Sequence, residues 1–290
     1  MNTYSSLALQ STISSQGRFE LKLEEIRLPS PAADEIVVQM EAAPINPADL
    51  LGMFGPVDKS SLVADGTPDN PFLRGQVPES RLASVAARWD RPIFLGNEGA
   101  GTVVDAGGDT KELVGRKVAL RDGTYSLFRV LKAADCLLLP EGVPARDGAA
   151  ACINPLTVLS MIETMRREGH KAIVHTAAAS NVGQMLNRVC LEDNIGLVNI
   201  VRDARAAELL RAAGAKYVLD STKQDFHNRL VDALVATGAS IAFDAIGGGP
   251  LLSQILTAME IVNLRRSRFQ QIRLFQAQTG LRVRSSRFRS

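Results

Sequence analysis

Apolar positions in the second half of the chain alternate between two periods. Residues 172–176 form a short apolar run that ends in His175 and Thr176. After a small and polar turn, 177–181, residues Val182, Met185, Leu186, Val189 and Cys190 recur at the spacing of one helix face. A second apolar run, 196–201, stops at Arg202. The pattern then repeats: a helix over 203–214 with Ala206, Leu209, Leu210 and Ala213 in one stripe and Gly214 in the C-cap place, and a strand over 217–220. It continues with a helix over 224–237 carrying Phe226, Leu230, Val231, Leu234 and Val235, a strand over 240–245 and a helix over 250–260. Short apolar strands alternating with amphipathic helices predict a parallel, doubly wound sheet. Such sheets bind ligands at the carboxyl ends of their strands, so His175, Thr176, Arg202, Tyr217, Asp244 and Ala245 are candidate liners.

The first half reads differently. Short β-like pieces at 36–40, 101–106, 117–120, 127–131 and 136–139 are separated by Gly and Pro turns, with few helical stripes. Composition changes near 139–142, and a helical run over 147–168 follows. We therefore expect a β-rich domain over 1–145 and a Rossmann-type dinucleotide-binding domain over 146–260, with a distinct tail over 261–290. Residues 58–92 read as a long loop with a short helix near 80–89, a candidate substrate lid.

The turn at 177–183 bears on chemistry because a pyrophosphate must approach the N–H groups at a helix N-terminus, which demands small side chains. Ala177 to Ala179, Ser180, Asn181 and Gly183 meet that demand, with Val182 opening the apolar stripe. Only Gly183 is a glycine, so the full G-x-G-x-x-G fingerprint is missing. Ser180 and Asn181 would replace glycine as N-cap and left-handed residue. An ordinary capped connection has the same composition. Arg202 and Arg205, just past the second strand, suit the 2′-phosphate of NADP(H), whereas Asp203 offers the carboxylate of an NAD(H) site. The position of Arg202 favours NADPH over NADH.

Three cysteines, Cys136, Cys152 and Cys190, are scattered in apolar surroundings, the pattern of reduced core residues in a cytosolic protein. His170, His175 and His227 lack metal-ligand spacing, and His175 reads as a hydrogen-bonded core residue or a cofactor contact. Residues 1–17 show no secretory pattern, and no apolar run is long enough to span a bilayer, so a cytoplasmic location is expected.

Several local runs in order carry a resemblance: Ala43-Pro44-Ile45-Asn46-Pro47-Ala48-Asp49, Leu95-Gly96-Asn97-Glu98-Gly99-Ala100-Gly101, Asp122-Gly123-Thr124-Tyr125-Ser126, Leu139-Pro140-Glu141-Gly142-Val143, Asn154-Pro155-Leu156-Thr157 and Phe243-Asp244-Ala245-Ile246-Gly247-Gly248. Over about residues 20–260 the chain resembles the medium-chain dehydrogenase/reductase superfamily, in its zinc-free, quinone-oxidoreductase-like branch. The resemblance implies an α/β protein with a GroES-like domain followed by a Rossmann-type domain that is incomplete at its C-terminus. It implies a catalytic role for Asn46 near the nicotinamide, with Asn154 and Thr157 lining the same cleft. By the same resemblance Ser180, Asn181, Val182 and Gly183 hold the pyrophosphate, Tyr217 lies by the adenosine, and Asp244, Ala245 and Ile246 lie near the nicotinamide half.

Zinc-dependent members place Cys and His where this chain has the Asn46–Asp49 run and Asn97, and an amide is a poor zinc ligand, so no zinc is expected. Hydride transfer would then require an acceptor that is already electrophilic, a quinone or an α,β-unsaturated carbonyl. Enoyl-thioester reductases of the branch carry a tyrosine donor shortly after their Asn-Pro-x-Asp run. Residues 50–57 here contain none, which counts against that activity. A homo-oligomer is compatible with all of this.

The tail breaks the pattern. Residues 261–290 hold eight arginines, no lysine and no acidic residue; removing those eight from the 33 basic side chains leaves 25 against 31 acidic, a net of −6. Three readings compete: first and preferred, a frameshifted or mis-annotated end; second, an arginine-rich tail for nucleic acid or acidic partners; third, a helix continuing from 250 through 264 and then disorder. The first leaves the parallel sheet with an open edge. It also keeps a second function class in play, a catalytically silent, truncated homologue or nucleotide-binding remnant.

Overall fold

The computed structural model describes residues 4–67, 70–266, 273–276 and 282–283. The chain divides into two compact units, Met1–Ile153 and Asn154–Ser290.

The first unit contains β1 (Tyr4–Ile13), β2 (Arg18–Leu28), β3 (Glu35–Ala42), α1 (Pro47–Phe54), β4 (Val63–Thr67), β5 (Asn70–Gln76), α2 (Glu79–Leu82), β6 (Ile93–Phe94), β7 (Glu98–Ala106), β8 (Lys117–Arg121), β9 (Phe128–Lys132), β10 (Leu137–Leu138) and α3 (Ala145–Gly148). They form two antiparallel sheets, ordered β4-β5-β2-β1-β6 and β10-β8-β7-β3-β9. The long β1–β2 hairpin, paired from Tyr4↔Leu28 to Ile13↔Phe19, is absent from the pattern reading. Buried polar residues on both faces of β1 explain why: Ser6 and Gln10 share one face with Ala8, and Ser11 shares the other with Ile13, so buried positions are not uniformly apolar. Ser6 satisfies its hydroxyl by donating to the Phe128 carbonyl at 3.0 Å and accepting from the Phe128 N–H at 2.9 Å.

Two further expectations are corrected. Residues 58–92 are not one long loop, because β4 and β5 pair from Val63↔Arg74 to Thr67↔Asn70. Both strands are largely exposed, so no inward apolar alternation marks them; an Asp65–Arg74 ion pair at 2.8 Å adds to their backbone ladder. The helical run expected over 147–168 is interrupted: α3 ends at Gly148 and the next helix begins at Asn154, and between them the N–H groups of Cys152 and Ile153 donate to the Glu98 carboxylate.

The second unit contains α4 (Asn154–Arg167), β11 (Ala172–His175), α5 (Asn181–Glu192), β12 (Gly196–Val201), α6 (Ala204–Ala212), β13 (Tyr217–Asp220), α7 (Phe226–Thr237), β14 (Ile241–Asp244), α8 (Pro250–Arg266), β15 (Arg273–Gln276) and β16 (Arg282–Val283). The strand order is β13-β12-β11-β14-β15-β16. All neighbours run parallel except β15 and β16. One sheet face packs Ala172, Val174, Val198 and Ile200 on α7 and α8, and the other packs Ile173, Leu197, Ile241 and Phe243 on α4 and α5. Leu186, Leu210, Leu230 and Leu234 are fully buried. Each contributes about 1.5–3 kcal/mol relative to exposure.

Helix faces deviate in detail. In α6 the buried positions are Ala207 and Leu210, while Leu209 is 47% exposed and Ala213 lies past the helix end. Asp203 accepts from the Ala206 N–H at 2.7 Å and fixes where that helix starts. In α7, Ala233 rather than Val235 turns inward. Helix α8 extends to Arg266, in agreement with the helical part only of the third tail reading, and β15 lies along β14 from Ile241↔Arg273 to Asp244↔Gln276, so the expected open edge is covered. Most of the arginine-rich run, and with it the nucleic-acid reading, lies outside the described residues. Among the described residues no helix is long and apolar enough to cross a membrane.

Candidate functional site

The strand order reverses between β11 and β14: β11 pairs with β12 on one side and β14 on the other. The crevice beyond the carboxyl ends of such a pair is where doubly wound sheets take ligands. Here it holds the turn from β11 into α5. Ala177 adopts φ 49°, and Ser180 caps α5, its hydroxyl accepting from the Gly183 N–H at 3.2 Å. The left-handed position is therefore Ala177, not Asn181, which is the first residue of α5. Asn181 and Val182 open α5, and the first N–H groups of a helix have no intrahelical acceptor, which is what an anion requires.

Gly183 is demanded by contact. A Cβ at this position would lie 2.1 Å from the Ala178 carbonyl oxygen, so only glycine lets the helix approach the turn this closely.

Against this turn lies a cavity of about 350 Å³ whose lining includes Ala177, Ala179, Ser180, Arg202, Ser221 and Ile246. Its size is that of a small-molecule site, about 300–1,000 Å³. Arg202 is exposed, with no hydrogen bond or ion pair among the described residues, whereas the Asp203 carboxylate is engaged as the α6 cap. Both Arg202 and Asp203 line the cavity, Asp203 with one carboxylate oxygen engaged as the cap. Ser221, missed in the sequence, directly follows β13 and is anchored by its N–H to the Val201 carbonyl at 2.8 Å. Its signal was available: it is the first residue past a predicted strand.

Other sequence candidates are placed elsewhere. Tyr217 opens β13 at the amino end of the sheet, where it lines a separate cavity with Asn187, Cys190 and Lys216; the structure does not bring it to the turn. Arg205 is exposed on α6 and does not line the cavity around Arg202. Asp244 is buried and accepts from the Thr176 hydroxyl at 2.7 Å, the Ile246 N–H at 3.0 Å and the Gly247 N–H at 3.2 Å. The Thr176 hydroxyl accepts in turn from the Ala245 N–H at 2.8 Å. Thr176, Asp244 and Ala245 therefore shape the loop after β14, and of that run only Ile246 reaches the cavity. His175 is buried, its Nδ1 3.2 Å from the Phe243 carbonyl, and burial holds its pKa below the usual 6.5 against the raising effects of that carbonyl and Asp244. It is a core residue. Asn154 and Thr157 lie one turn apart on α4, the first buried and the second half-buried, and neither lines this cavity.

The first unit gathers a second cluster. Asn46 caps α1 with Pro47 in the first turn and forms a capping box with Asp49. The buried Asp49 carboxylate accepts from the Asn46 N–H at 2.7 Å and the Asn97 N–H at 2.9 Å, joining two segments far apart in sequence. The Asn46 side-chain amide donates to Glu98 Oε1 at 3.1 Å. Glu98, fully buried, was visible in the sequence only as a lone charge in an apolar and Gly-rich run. The Tyr125 hydroxyl donates to the Pro44 carbonyl at 2.8 Å, and burial, with Asp49 nearby, pushes its pKa up to about 12. Among the described residues no group of three His, Cys, Asp or Glu side chains could hold a metal.

No protein-family model matches the chain. It is similar to the mitochondrial enoyl-[acyl-carrier-protein] reductase of Xenopus tropicalis, 28% identical over 210 residues, covering 69% of this chain and 51% of the relative. It is also similar to a quinone oxidoreductase of Pseudomonas aeruginosa, 28% identical over 161 residues, covering 54% of this chain and 50% of the relative. The chain spans about half the length of these curated relatives. Among solved structures, a Mesorhizobium loti protein provisionally assigned as an NADPH:quinone reductase superposes with a TM-score of 0.62 at 26% identity, covering 89% of this chain and 70% of that one.

Proposed function

We propose, for a chain whose homologues and structural neighbours are the quinone oxidoreductases and enoyl reductases of the medium-chain dehydrogenase/reductase superfamily, a zinc-independent, NADPH-dependent reduction of a quinone or α,β-unsaturated carbonyl. The observation that carries this reading is the cavity at the strand-order reversal, where a capped, glycine-dependent helix start faces Arg202, which has no ion pair among the described residues.

A bound nicotinamide cofactor supplies a hydride from its C4 position. The fit of this chain's residues is steric and electrostatic. The turn ending in Ser180 and the close approach at Gly183 leave a pyrophosphate room against the start of α5, where the N–H groups of Asn181 and Val182 would meet it; the Gly183 N–H is already taken by the Ser180 hydroxyl. Arg202 offers a 2′-phosphate a planar, charged donor, and Ser221 adds a hydroxyl on the same wall. Asn46 is the group we assign to the reacting end. The carboxylates beside it, Asp49 and Glu98, already accept N–H donors, and an amide is a poor zinc ligand, so an acceptor that needs no Lewis acid fits best.

Between the two activities of the relatives, quinone or enone reduction is favoured over enoyl-thioester reduction. Residues 50–57 contain no tyrosine, and Tyr125, bonded to a carbonyl and shifted to about 12, is a weak proton donor. Purified chain mixed with NADPH and a panel of quinones, enones and enoyl thioesters should oxidise NADPH with the first two classes. Turnover confined to enoyl thioesters would overturn the substrate assignment. Turnover with none, on chain that still binds NADPH, would favour a silent nucleotide-binding homologue.

A further inference from the structure

Glu98 has no exposed surface. Burying a carboxylate costs several kcal/mol unless its oxygens are met by donors. Three N–H donors converge on this one: Asn46 Nδ2 at 3.1 Å on Oε1, and the backbone N–H groups of Cys152 at 3.1 Å and Ile153 at 2.8 Å on Oε2. The Glu98 backbone is pinned as well, its carbonyl accepting from the Thr124 hydroxyl at 2.7 Å. One oxygen therefore serves the Asn46 side chain, and the other fixes the chain where the first unit ends.

A carboxylate accepts and cannot donate, so only the nitrogen end of the Asn46 amide can face it. The oxygen end is left for the first turn of α1 and for a ligand, and Asn46 is only half-buried. We propose that Glu98 is a positioning residue: it dictates which end of the Asn46 amide is presented. The functional part of this inference rests on the assignment of Asn46 to the reacting end.

Glu98→Gln tests it at nearly constant volume. The new amide can still accept from Cys152 and Ile153 through its oxygen, but it then turns a donor toward the Asn46 donor, and the Asn46 amide must reverse or lose its partner. Combining it with Asn46→Asp exchanges amide and carboxylate, conserves net charge and restores a donor–acceptor pair. Wild type, E98Q, N46D and N46D/E98Q would be compared by the spectrum of isotope-labelled asparagine side-chain amides, with N46D identifying the Asn46 signal, and by NADPH turnover with a quinone.

Expected are a downfield-shifted Asn46 amide proton in wild type that loses its shift in E98Q, and a kcat about tenfold lower in E98Q with NADPH affinity within about twofold. The double variant should recover the urea denaturation midpoint that E98Q lowers, because its donor–acceptor pair is restored. An Asn46 signal unchanged in E98Q, wild-type kcat in E98Q, or a double variant with the denaturation midpoint of E98Q would overturn the proposal. Wild type without turnover, but with an Asn46 signal that responds to E98Q, would uphold the orienting role and sink the reductase reading instead.

Discussion

At the carboxyl end of the parallel sheet, the turn into α5 offers a ligand backbone N–H groups, small side chains and the exposed Arg202 guanidinium. Around Asn46 in the first unit, two buried carboxylates tie down segments that are distant in sequence. The two regions need different things from the fold. The turn requires close backbone approach, secured by Gly183 against the Ala178 carbonyl. The Asn46 cluster requires side-chain orientation, secured by Asp49 and Glu98 at hydrogen-bond distance from Asn97, Cys152 and Ile153.

The largest effect should come from attacking the backbone approach. Gly183→Val places side-chain atoms on the Ala178 carbonyl, and overpacking of this kind costs about 1–3 kcal/mol. We expect a lower denaturation midpoint in urea and no measurable NADPH binding. A variant that binds as wild type would mean that α5 sits further from the turn. The next effect is electrostatic. Arg202→Ala should weaken NADPH by about 1.5–3 kcal/mol, roughly ten- to a hundredfold, and leave NADH nearly unchanged, as read by parallel fluorescence titrations. Equal losses for both nucleotides would remove the 2′-phosphate role.

A smaller effect separates core from site. His175 stays neutral in the folded chain because burial lowers its pKa. Above pH 6.5, the ordinary value, it is neutral in both states and adds nothing to the pH dependence. As pH falls below that value, the unfolded chain takes up a proton the folded chain resists, and stability is lost at up to about 1.4 kcal/mol per pH unit. His175→Leu should flatten that acid arm of the stability curve in denaturation experiments from neutral to mildly acidic pH, without changing NADPH affinity near neutrality. The smallest effect belongs to the amino end of the sheet: Tyr217→Phe should leave NADPH affinity within about twofold. A tenfold loss would return Tyr217 to the cofactor site.

The second unit was the more legible in the sequence because its signals are local. Strands 172–176 and 196–201, the small turn and the first residue past each strand give the sheet, the helix start and Arg202 without distant contacts. What failed there was positional: Tyr217 opens its strand whereas Ser221 follows it, and only the second reaches the cavity. The first unit was legible mainly through resemblance. Strand β1 buries Ser6 and Ser11 on opposite faces, bonded to Phe128 and to Met53 and Arg88 far along the chain, and Glu98 meets its partners 52 to 55 residues away. No periodicity reports a charge whose reason for burial lies that far along the chain.

The central claim is that the cavity beside Ser180, Arg202 and Ser221 takes a phosphorylated nicotinamide dinucleotide. The most direct test is a titration of the purified full-length chain with NADPH, followed by nicotinamide fluorescence, with NADH titrated in parallel. Saturable binding that is at least about tenfold tighter for NADPH is the predicted result. Folded protein that binds neither nucleotide, or binds both equally, would contradict it.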